Sequence, residues 1–526
     1  MKKFLTVLFL TGLLTTRIAA AENPAKTAGA GRAILGINDD QKRIVVTAVT
    51  ADGSAIQVEG CTVTKLPSGE KTVLTATGPK VILKGAIIEL DCRSNQLSTL
   101  DVCNLTVLQE LDCAFNRLTS LNVHSLTALH KLDCGGNRLT ELNVQGLTAL
   151  QKLFCDDNLL TSLDVSGVTA LQSLSCGENL LTSLDVSGLT GLRELYCNRN
   201  QLSSLDVQSL TALQDLFCNA NKLISLNVQD LKVLQRLHCN SNRLTLLDVR
   251  DLSALQELDC VGNELTSLDV HGVTALWELE CSKNMLTLLD VQSLTSLSKL
   301  DCSANQLASL DVRNLAALEE LDCSNNKLTA LYVRGLNTLQ KLYCSENELT
   351  SLEIQGLKTL QKLNCYKNKL TSLNVQGLTA LQWLNCGYNE LTTLNLKGLH
   401  ALRDLECFKN NLAELDVQDI NTLQRLNCYH NKLSTLELST LHGLQELCCY
   451  DNLFNEKTLI RILTALPDRK QKKEGRALIY GKKNDPREGT ITDFSSSAEL
   501  KAAFEAAKAK NWRFYKRDTV GNEEEV

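Results

Sequence analysis

Hydrophobic residues recur along most of the chain with a fixed period of 21. Reading from Leu108, one unit is LQELDCAFNRLTSLNVHSLTA, and the same order of apolar and polar positions continues without insertion as far as Asn452. Cysteine keeps one register from Cys92 to Cys449 and asparagine keeps another from Asn95 to Asn452, so each recurs at eighteen positions. Such self-similarity is typical of a tandem-repeat solenoid, in which each unit contacts only its neighbours.

The alternation of apolar and polar residues at the start of each unit predicts a short strand. In LQELDC, Leu111 and Cys113 are expected to point inward with Leu108, while Glu110 and Asp112 face outward. Equivalent strands of successive units are then expected to pair in parallel, about 4.8 Å apart, and to form one long curved sheet. The rest of the unit has no room for a full helix, so we expect extended segments or 3₁₀ turns on the convex side.

The asparagine of each unit follows the strand, where the chain must turn out of the sheet. An inward amide such as that of Asn116 can bond to loop backbone groups that would otherwise be buried without partners. We therefore predict a structural and not a catalytic role for this asparagine.

A second column of polar residues is predicted to run outward along the opposite wall. Stacked carboxylates there could bind calcium, but the G-G-x-G-x-D pattern of calcium-binding solenoids is missing from the sequence. We favour side chains that accept hydrogen bonds from the turn that follows them. The column includes Asp101, Asn122, Asn143, Asp164, Asp185 and Asp206, with Tyr332 as a departure.

The two ends of the chain depart from the repeat. A short apolar run followed by Ala19, Ala20 and Ala21 is typical of a signal peptide, so we expect an exported protein, secreted or held at the cell surface. The predicted segments are a signal peptide at 1–21, a β-rich N-terminal cap at 22–86, the repeats at 87–454, and a β/α C-terminal cap with an acidic tail at 455–526.

The C-terminal cap is predicted to contain two helices and two strands. Apolar residues on one face between Leu459 and Leu466 indicate a helix that Pro467 ends, and Ser496 with Glu499 indicates the capping box of a second helix running to about Lys510. Strands near 477–480 and 512–515 and a disordered acidic tail, GNEEEV, complete this prediction.

Twenty-one cysteines in an exported chain would ordinarily indicate a disulfide framework. In-register parallel strands hold equivalent Cβ atoms roughly 4.8 Å apart, whereas a disulfide needs about 3.8 Å and converging vectors. We therefore expect a ladder of buried thiols. Cys61, Cys103 and Cys448 lie off this register; a Cys61–Cys103 bridge stays open as an alternative, and Cys448 is expected to face outward. The sequence offers neither paired C-x-x-C groups nor a histidine cluster, so no metal site is expected.

The recurring pattern L-x-x-L-x-C-x-x-N-x-L-T-x-L-x-V is that of a leucine-rich repeat with cysteine in place of one leucine. In unit length and cysteine ladder it resembles the internalin J-like group of bacterial leucine-rich-repeat proteins. The resemblance implies a leucine-rich-repeat solenoid with a curved parallel sheet. It also implies surface adhesion, with the concave sheet presented to a ligand on a host or neighbouring cell.

Residues that bind a ligand should lie at outward strand positions, which the fold leaves free to vary. Aromatic residues are only 4% of the chain, yet seven fall at outward or edge positions of the strands in its last third. Tyrosine and tryptophan are enriched in binding hot spots, so we predict a concave aromatic stripe that binds ligand. Its members are Tyr343, Tyr366, Trp383, Tyr388, Phe408, Tyr429 and Tyr450. An upstream patch (Phe154, Tyr196, Phe217, His238) is followed by an acidic run (Asp259, Glu280, Asp301, Asp322) that we interpret as solvated surface.

Several classes of function are disfavoured by the sequence. It contains no nucleophile elbow, P-loop or H-E-x-x-H motif, so we expect neither an enzyme nor a cofactor. A net charge of -6 without a basic stripe argues against nucleic acid and acidic membranes as partners. We expect a protein or glycan ligand on another cell or matrix, with no membrane insertion after signal removal. The alternative is structural self-association in a surface layer or biofilm.

Overall fold

The structure is a computed structural model of the 526-residue chain, and it describes residues 31–38, 41–481, 494–517 and 523–526. The predicted signal peptide, 1–21, lies outside the described residues. The repeats stack side by side into one solenoid, as the 21-residue period predicts.

The N-terminal region is rich in β-structure and covers the first end of the solenoid core. Strand β1 (Arg32–Gly36) pairs antiparallel with β6 (Lys80–Lys84) on one side and with β8 (Thr99–Asp101) on the other. Strand β2 (Arg43–Thr50) pairs antiparallel with both β5 (Thr72–Thr75) and β7 (Ile87–Asp91). Alternation in β2 buries Ile44, Val46 and Ala48 completely. Strand β7 belongs to the first repeat unit, that of Cys92, and pairs in parallel with the strand of the second unit, so the pairing of β2 with β7 joins the N-terminal region to the repeat sheet. The strands are β1 (Arg32–Gly36), β2 (Arg43–Thr50), β3 (Ile56–Glu59), β4 (Lys65–Leu66), β5 (Thr72–Thr75), β6 (Lys80–Lys84), β7 (Ile87–Asp91) and β8 (Thr99–Asp101).

The concave face is a parallel sheet with one short strand from each unit, in which β7 of the first unit is followed by seventeen three-residue strands. Each strand buries its central leucine and pairs in register with its neighbours, as Leu132 does with Leu111 and Leu153. The strands are β9 (Glu110–Asp112), β10 (Lys131–Asp133), β11 (Lys152–Phe154), β12 (Ser173–Ser175), β13 (Glu194–Tyr196), β14 (Asp215–Phe217), β15 (Arg236–His238), β16 (Glu257–Asp259), β17 (Glu278–Glu280), β18 (Lys299–Asp301), β19 (Glu320–Asp322), β20 (Lys341–Tyr343), β21 (Lys362–Asn364), β22 (Trp383–Asn385), β23 (Asp404–Glu406), β24 (Arg425–Asn427) and β25 (Glu446–Cys448).

The convex side consists of turns. Leu105 N–H donates to Val102 O at 2.9 Å and Leu108 N–H donates to Leu105 O at 2.9 Å, which are i to i−3 bonds of the 3₁₀ type. The same pair of bonds recurs in later units, and the part of the chain that is described from 87 to 454 contains no helix. The expectation of turns instead of helices is confirmed.

The repeated asparagines form a buried ladder of hydrogen bonds between units. Asn263 Nδ2 donates to Cys260 O at 3.0 Å in its own unit and to Cys239 O at 3.1 Å in the preceding unit, while its Oδ1 accepts from Leu244 N at 2.9 Å. Each asparagine thus satisfies backbone groups of two successive units, as predicted from its position after the strand.

The polar column of the opposite wall makes local turns. Asp164 Oδ1 accepts from Ser166 N at 3.0 Å, and Asn122 Oδ1 accepts from His124 N at 3.2 Å. The hydrogen bonds from the backbone and the hydroxyl of Ser166 lower the pKa of Asp164. Their geometry is that of the hydrogen-bonded turn that we favoured over calcium coordination.

The cysteine ladder is buried. Eighteen cysteines, each just after its strand, fill the core, and the described residues contain no disulfide. Burial raises the pKa of these thiols, as at Cys281, where neighbouring thiols add to the effect. The Cys61–Cys103 bridge that the sequence left open is not formed. Cys61 pairs with Ala76 of the cap, whereas the Cys103 thiol donates to Asn122 O at 3.8 Å in the next unit.

The C-terminal cap continues the sheet and covers its far end with helices. Strand β26 pairs in parallel with β25 and β27, and α1 packs against α2. The helix end predicted at Pro467 is confirmed, because α1 (Glu456–Ala465) ends just before Leu466 and Pro467. The cap consists of α1 (Glu456–Ala465), β26 (Gly475–Gly481), α2 (Ala498–Ala509), β27 (Trp512–Arg517) and β28 (Glu523–Glu525).

Two predictions for this cap are wrong. The N-cap of α2 is Ser497 and not Ser496: its hydroxyl accepts from Leu500 N at 3.1 Å, so Glu499 stands too early in the helix for a capping box. The acidic tail is not wholly disordered, because β28 pairs antiparallel with β27. The tail pairs there because the edge of β27 offers backbone N–H and C=O groups that would otherwise lack a strand partner.

Candidate functional site

Five aromatic side chains meet at the C-terminal end of the concave face. The rings of Tyr429 and Tyr450 stack with centroids 4.7 Å apart, and those of Phe408 and Tyr429 stack at 4.8 Å. Tyr366 lies 5.9 Å from Phe408 and 5.8 Å from Tyr388. We call Tyr366, Tyr388, Phe408, Tyr429 and Tyr450 the C-terminal ring row.

The ring row lies beside the strands, at the edge of the sheet. Tyr366, Phe408, Tyr429 and Tyr450 occupy the position just after the inward cysteine of their units, and Tyr388 occupies the next one. Parallel stacking follows from the repeat, because equivalent residues stand at strand spacing. Sequence reasoning assigned these residues to outward or edge positions, and the structure places the five of this row at the edge.

Tyr343 and Trp383, which were predicted in the same stripe, lie elsewhere on the concave face. Tyr343 is the last residue of β20, and Trp383 is the first residue of β22. Both are half-buried among strand side chains and stand outside the chain of ring contacts that joins the row. The predicted stripe thus divides into a contiguous row of five and two separate rings.

Charged side chains border the ring row on its outer side. The Lys409 ammonium lies 4.4 Å from the ring centroid of Tyr388, a cation–π distance. His430 Nδ1 and Asp451 Oδ2 are in close contact beside Tyr429 and Tyr450. Sequence reasoning missed these neighbours, although a unit spacing of 21 already places each next to a ring.

A hollow of about 250 Å³ opens on the strand side of the ring row. Its lining includes Tyr429, Arg425 and Glu406. Burial, followed by repulsion from Asp404, raises the pKa of Glu406, whose Oε2 accepts from Asn385 Nδ2 at 3.2 Å. Cys448 also lines the hollow and faces outward, as predicted. The hollow thus combines one aromatic ring with positively and negatively charged side chains.

A second group of rings lies upstream on the strands themselves. Tyr196 stacks on Phe217 at 4.9 Å, and Phe217 lies 4.2 Å from the His238 imidazole. Burial raises the pKa of Tyr196 to about 12 and lowers the pKa of His238. We call Tyr196, Phe217 and His238 the upstream ring cluster; Phe154 is separated from it by Ser175 in the same column.

The upstream ring cluster is held by a fork-like ion pair. Arg236 Nε and Nη2 donate to the two carboxylate oxygens of Asp215, each at 2.7 Å, and the guanidinium lies 5.5 Å from the Phe217 ring centroid. On the next strand, Glu257 approaches His238 Nε2 at 3.5 Å. Bidentate pairing fixes the orientation of Arg236 and makes this part of the surface rigid.

Among the described residues, no group of three or more His, Cys, Asp or Glu side chains is arranged to hold a metal ion. No helix in the same residues is long and apolar enough to cross a membrane.

Comparison with known proteins gives matches among solved structures alone. No protein-family model and no curated protein matches this chain. A leucine-rich-repeat protein of Leptospira interrogans is 28% identical over 72% of this chain and 93% of its own, with a TM-score of 0.55. The functional domain of InlJ from Listeria monocytogenes, which includes a cysteine ladder, is 28% identical over 78% of each chain, with a TM-score of 0.49.

A third structure, YopM from Yersinia enterocolitica, shows the shared fold alone. It is 24% identical over 70% of this chain and 88% of its own, with a TM-score of 0.53. The chain described here is a leucine-rich-repeat solenoid that resembles the internalin J-like group of bacterial proteins in its 21-residue units and its ladder of buried cysteines.

Proposed function

We propose that this chain is an exported bacterial adhesin, a protein-binding scaffold whose C-terminal ring row contacts a protein on a host or neighbouring cell. The observation that carries the proposal is the contact between five rings along one open edge of the sheet. Aromatic residues are only 4% of the chain, so this concentration is not a property of its general composition. Contiguous tyrosines bury much area at little entropic cost when a partner docks.

Ring geometry favours a protein over a glycan as the ligand. Phe408 and Tyr429 are inclined by 10° and Tyr429 and Tyr450 by 5°, so the rings cover one another's faces. Recognition of a sugar by stacking needs open ring faces, whereas this row presents ring edges and tyrosine hydroxyls. Edges and hydroxyls suit the mixed apolar and hydrogen-bonding surface of a protein partner.

The proposal is tested with residues 22–526 and a variant carrying Tyr366→Ala, Tyr388→Ala, Phe408→Ala and Tyr429→Ala. Binding is measured to cultured epithelial cells, immobilised fibronectin and collagen, and other bacteria, with circular dichroism to verify folding. A matched control replaces three exposed aromatic residues outside the row, Phe115, Trp277 and Tyr332, by alanine; their exposed fractions are 65%, 39% and 55%.

We expect the folded ring-row variant to lose at least tenfold in affinity and the control to bind like the wild type. Equal binding by wild type and ring-row variant would remove the ring row from the site. Export is tested separately by N-terminal sequencing of the mature protein, which should begin at Glu22.

A second candidate function is structural self-association. Three fully aliphatic side chains outside the concave sheet are exposed by 63–66%, namely Ile224, Leu246 and Leu288, where most other units carry threonine or serine. If self-association is the function, the purified chain should form multimers in sedimentation velocity without any other ligand. Replacement by the residues typical of the repeat, Ile224→Thr, Leu246→Ser and Leu288→Ser, should then give a monomer.

A further inference from the structure

The middle of the concave sheet has an open face that the ring row does not use. In the units where the ring row lies, the position after the inward cysteine holds large rings. In the middle units the same position holds Val261, Ser282, Ser303 and Ser324, whose small side chains leave the strand residues accessible from the edge. No described residue covers this face, since the units contact one another only side by side.

The strand residues of this open face carry a strong excess of negative charge. Four successive strands place seven carboxylates and one lysine on it: Glu257, Asp259, Glu278, Glu280, Lys299, Asp301, Glu320 and Asp322. Lys299 contacts Glu278 at 2.5 Å and is also paired with Glu280, while Glu320 contacts Lys341 at 2.7 Å. Glu257 lies 3.5 Å from His238 Nε2. Within the described residues, this leaves Asp259, Asp301 and Asp322 without a Lys, Arg or His side chain at salt-bridge distance.

These three aspartates are half-buried and only partly engaged. Their Oδ1 atoms accept backbone N–H groups of Val261, Ser303 and Ser324 at 3.1, 2.9 and 2.9 Å, and Asp301 Oδ1 also accepts from the Ser303 hydroxyl at 2.7 Å. All of these donors are uncharged. Burial and like-charged neighbours raise the pKa of Asp259 to about 6. Carboxylates that are partly desolvated attract a cation more strongly than fully exposed ones do.

We propose that the concave face from Tyr196 to Asp322 is a second docking surface, which binds a lysine- or arginine-rich segment of a protein partner. The ammonium or guanidinium groups would pair with Asp259, Asp301 and Asp322, and the upstream ring cluster would contact the apolar stems. The Arg236 guanidinium, 5.5 Å from the Phe217 ring centroid and paired with Asp215, already occupies part of this cluster. Nucleic acid and anionic partners are repelled by the same charges.

This surface ends close to the proposed adhesin site. Phe217 and Tyr429 lie about ten units apart, roughly 48 Å along the sheet at strand spacing, whereas Asp322 and Tyr366 belong to units only two steps apart, roughly 10 Å. A short basic segment can pair with Asp259, Asp301 and Asp322 without contacting the ring row, whereas a longer partner can span both. A partner that spans both would gain affinity because the second contact becomes intramolecular.

The repeat supplies a matched pair of variants for the test. Asp259→Asn, Asp301→Asn and Asp322→Asn remove three charges from the open face, in a column that already holds Asn364 and Asn385. The control, Asp164→Asn, Asp185→Asn and Asp206→Asn, removes three charges from the opposite wall, in a column that already holds Asn122 and Asn143. Because asparagine occurs naturally in both columns, both variants are expected to fold.

The probes are a synthetic lysine–alanine peptide and a glutamate–alanine peptide of equal length, titrated at low ionic strength. We expect the lysine peptide to bind wild type and control alike, and the open-face variant at least tenfold more weakly. The glutamate peptide should not bind. The ring-row variant should bind the lysine peptide like the wild type. The docking surface can therefore be tested even if the ring row proves not to bind a cell-surface protein.

A replacement of Phe217 by alanine extends the test to the upstream ring cluster, where a severalfold loss of affinity is expected. Equal binding of the lysine peptide by the wild type and the open-face variant would overturn the proposal. So would an equal loss in the opposite-wall control, because binding would then reflect net charge alone. Absence of binding to the wild type at millimolar peptide would also overturn it.

Discussion

The ring of Phe408 lies over Gly387, the equivalent residue of the preceding unit. A Cβ atom built on Gly387 would stand 2.8 Å from Phe408 Cε1 and 2.9 Å from Cζ, closer than such atoms approach in proteins. Tyr366 and Phe408 belong to units two steps apart, a separation of roughly 9.6 Å at strand spacing, yet their ring centroids are 5.9 Å apart. The missing side chain lets Phe408 lean across the gap and join the row to Tyr366.

Gly387→Ala should therefore break the ring row at its centre. The new methyl group displaces the Phe408 ring, and the Tyr366–Phe408 contact is lost. We expect a several-fold loss of the adhesive binding defined above. Because the ring can swing into solvent, the free energy of unfolding should change by less than about 1 kcal/mol. Gly188→Ala is the control, since a Cβ there meets nothing within 4 Å; a similar loss in both variants would disprove the explanation.

Removal of one ladder asparagine should destabilise the solenoid severely. Asn263→Ala leaves Leu244 N without its buried acceptor, and it removes one of the two amide donors of Cys239 O and of Cys260 O, which keep Asn242 and Asn284. An unsatisfied buried N–H costs roughly 1–3 kcal/mol and the two lost carbonyl bonds add to this cost, so the loss should reach about 2–4 kcal/mol in urea unfolding. Asn227→Ala, which removes an exposed acceptor of Gln229 N at 3.2 Å, should cost under about 1 kcal/mol. Comparable costs at the two sites would contradict the role assigned to the ladder.

Most of the fold could be predicted because the period constrains it. Each unit has the same neighbours, so one assignment of Leu111 and Cys113 to the core fixes the strand, its parallel register and the cysteine ladder throughout the array. The role of Asn116 follows from the same logic, since a buried turn must satisfy its backbone groups.

The features that could not be predicted depend on departures from the period. The ring row needs Gly387 as much as its aromatic members, and no period shows which way Phe408 leans. Trp383 and Tyr343 share the composition of the row but occupy other columns, which composition alone cannot distinguish. In the cap, Ser496 and Ser497 offer equivalent hydroxyls, and tertiary packing decides which of them begins the helix.

Thiol reactivity should separate the buried ladder from the three remaining cysteines. Cys61, Cys103 and Cys448 are half-buried, whereas the eighteen ladder thiols are fully buried. Burial raises the pKa of the ladder thiols, so the reactive thiolate is scarce as well as inaccessible. Native protein should react quickly with a thiol reagent at no more than three sites, and denatured, unreduced protein at 21. Fewer than eighteen thiols after denaturation would show that the ladder contains disulfides.

The concave carboxylates should make stability rise as the pH falls from 7.5 towards 5. Burial, ahead of all other causes, raises the pKa of Asp133 and of Asp259 to about 6, above the value of about 3.9 for an unfolded chain. Between these values the native state binds more protons than the unfolded state, so the contribution of these groups is favourable below pH 4 and is lost as pH rises through 6.

Asp133→Asn and Asp259→Asn should consequently stabilise the protein at pH 7.5, each by about 1–2 kcal/mol after allowance for solvent screening. Both variants keep the oxygen that accepts the backbone N–H of Gly135 or Val261. The advantage should fall by more than half at pH 4.5, where the native carboxyls are protonated while the unfolded ones are still mostly ionised. Asp248→Asn is a control of opposite sign, because the Arg250 guanidinium lowers the pKa of Asp248 to about 2. Urea midpoints at the two pH values measure all three effects, and a stabilisation of the Asp133 or Asp259 variant that was undiminished at pH 4.5 would indicate better packing instead of relief of buried charge.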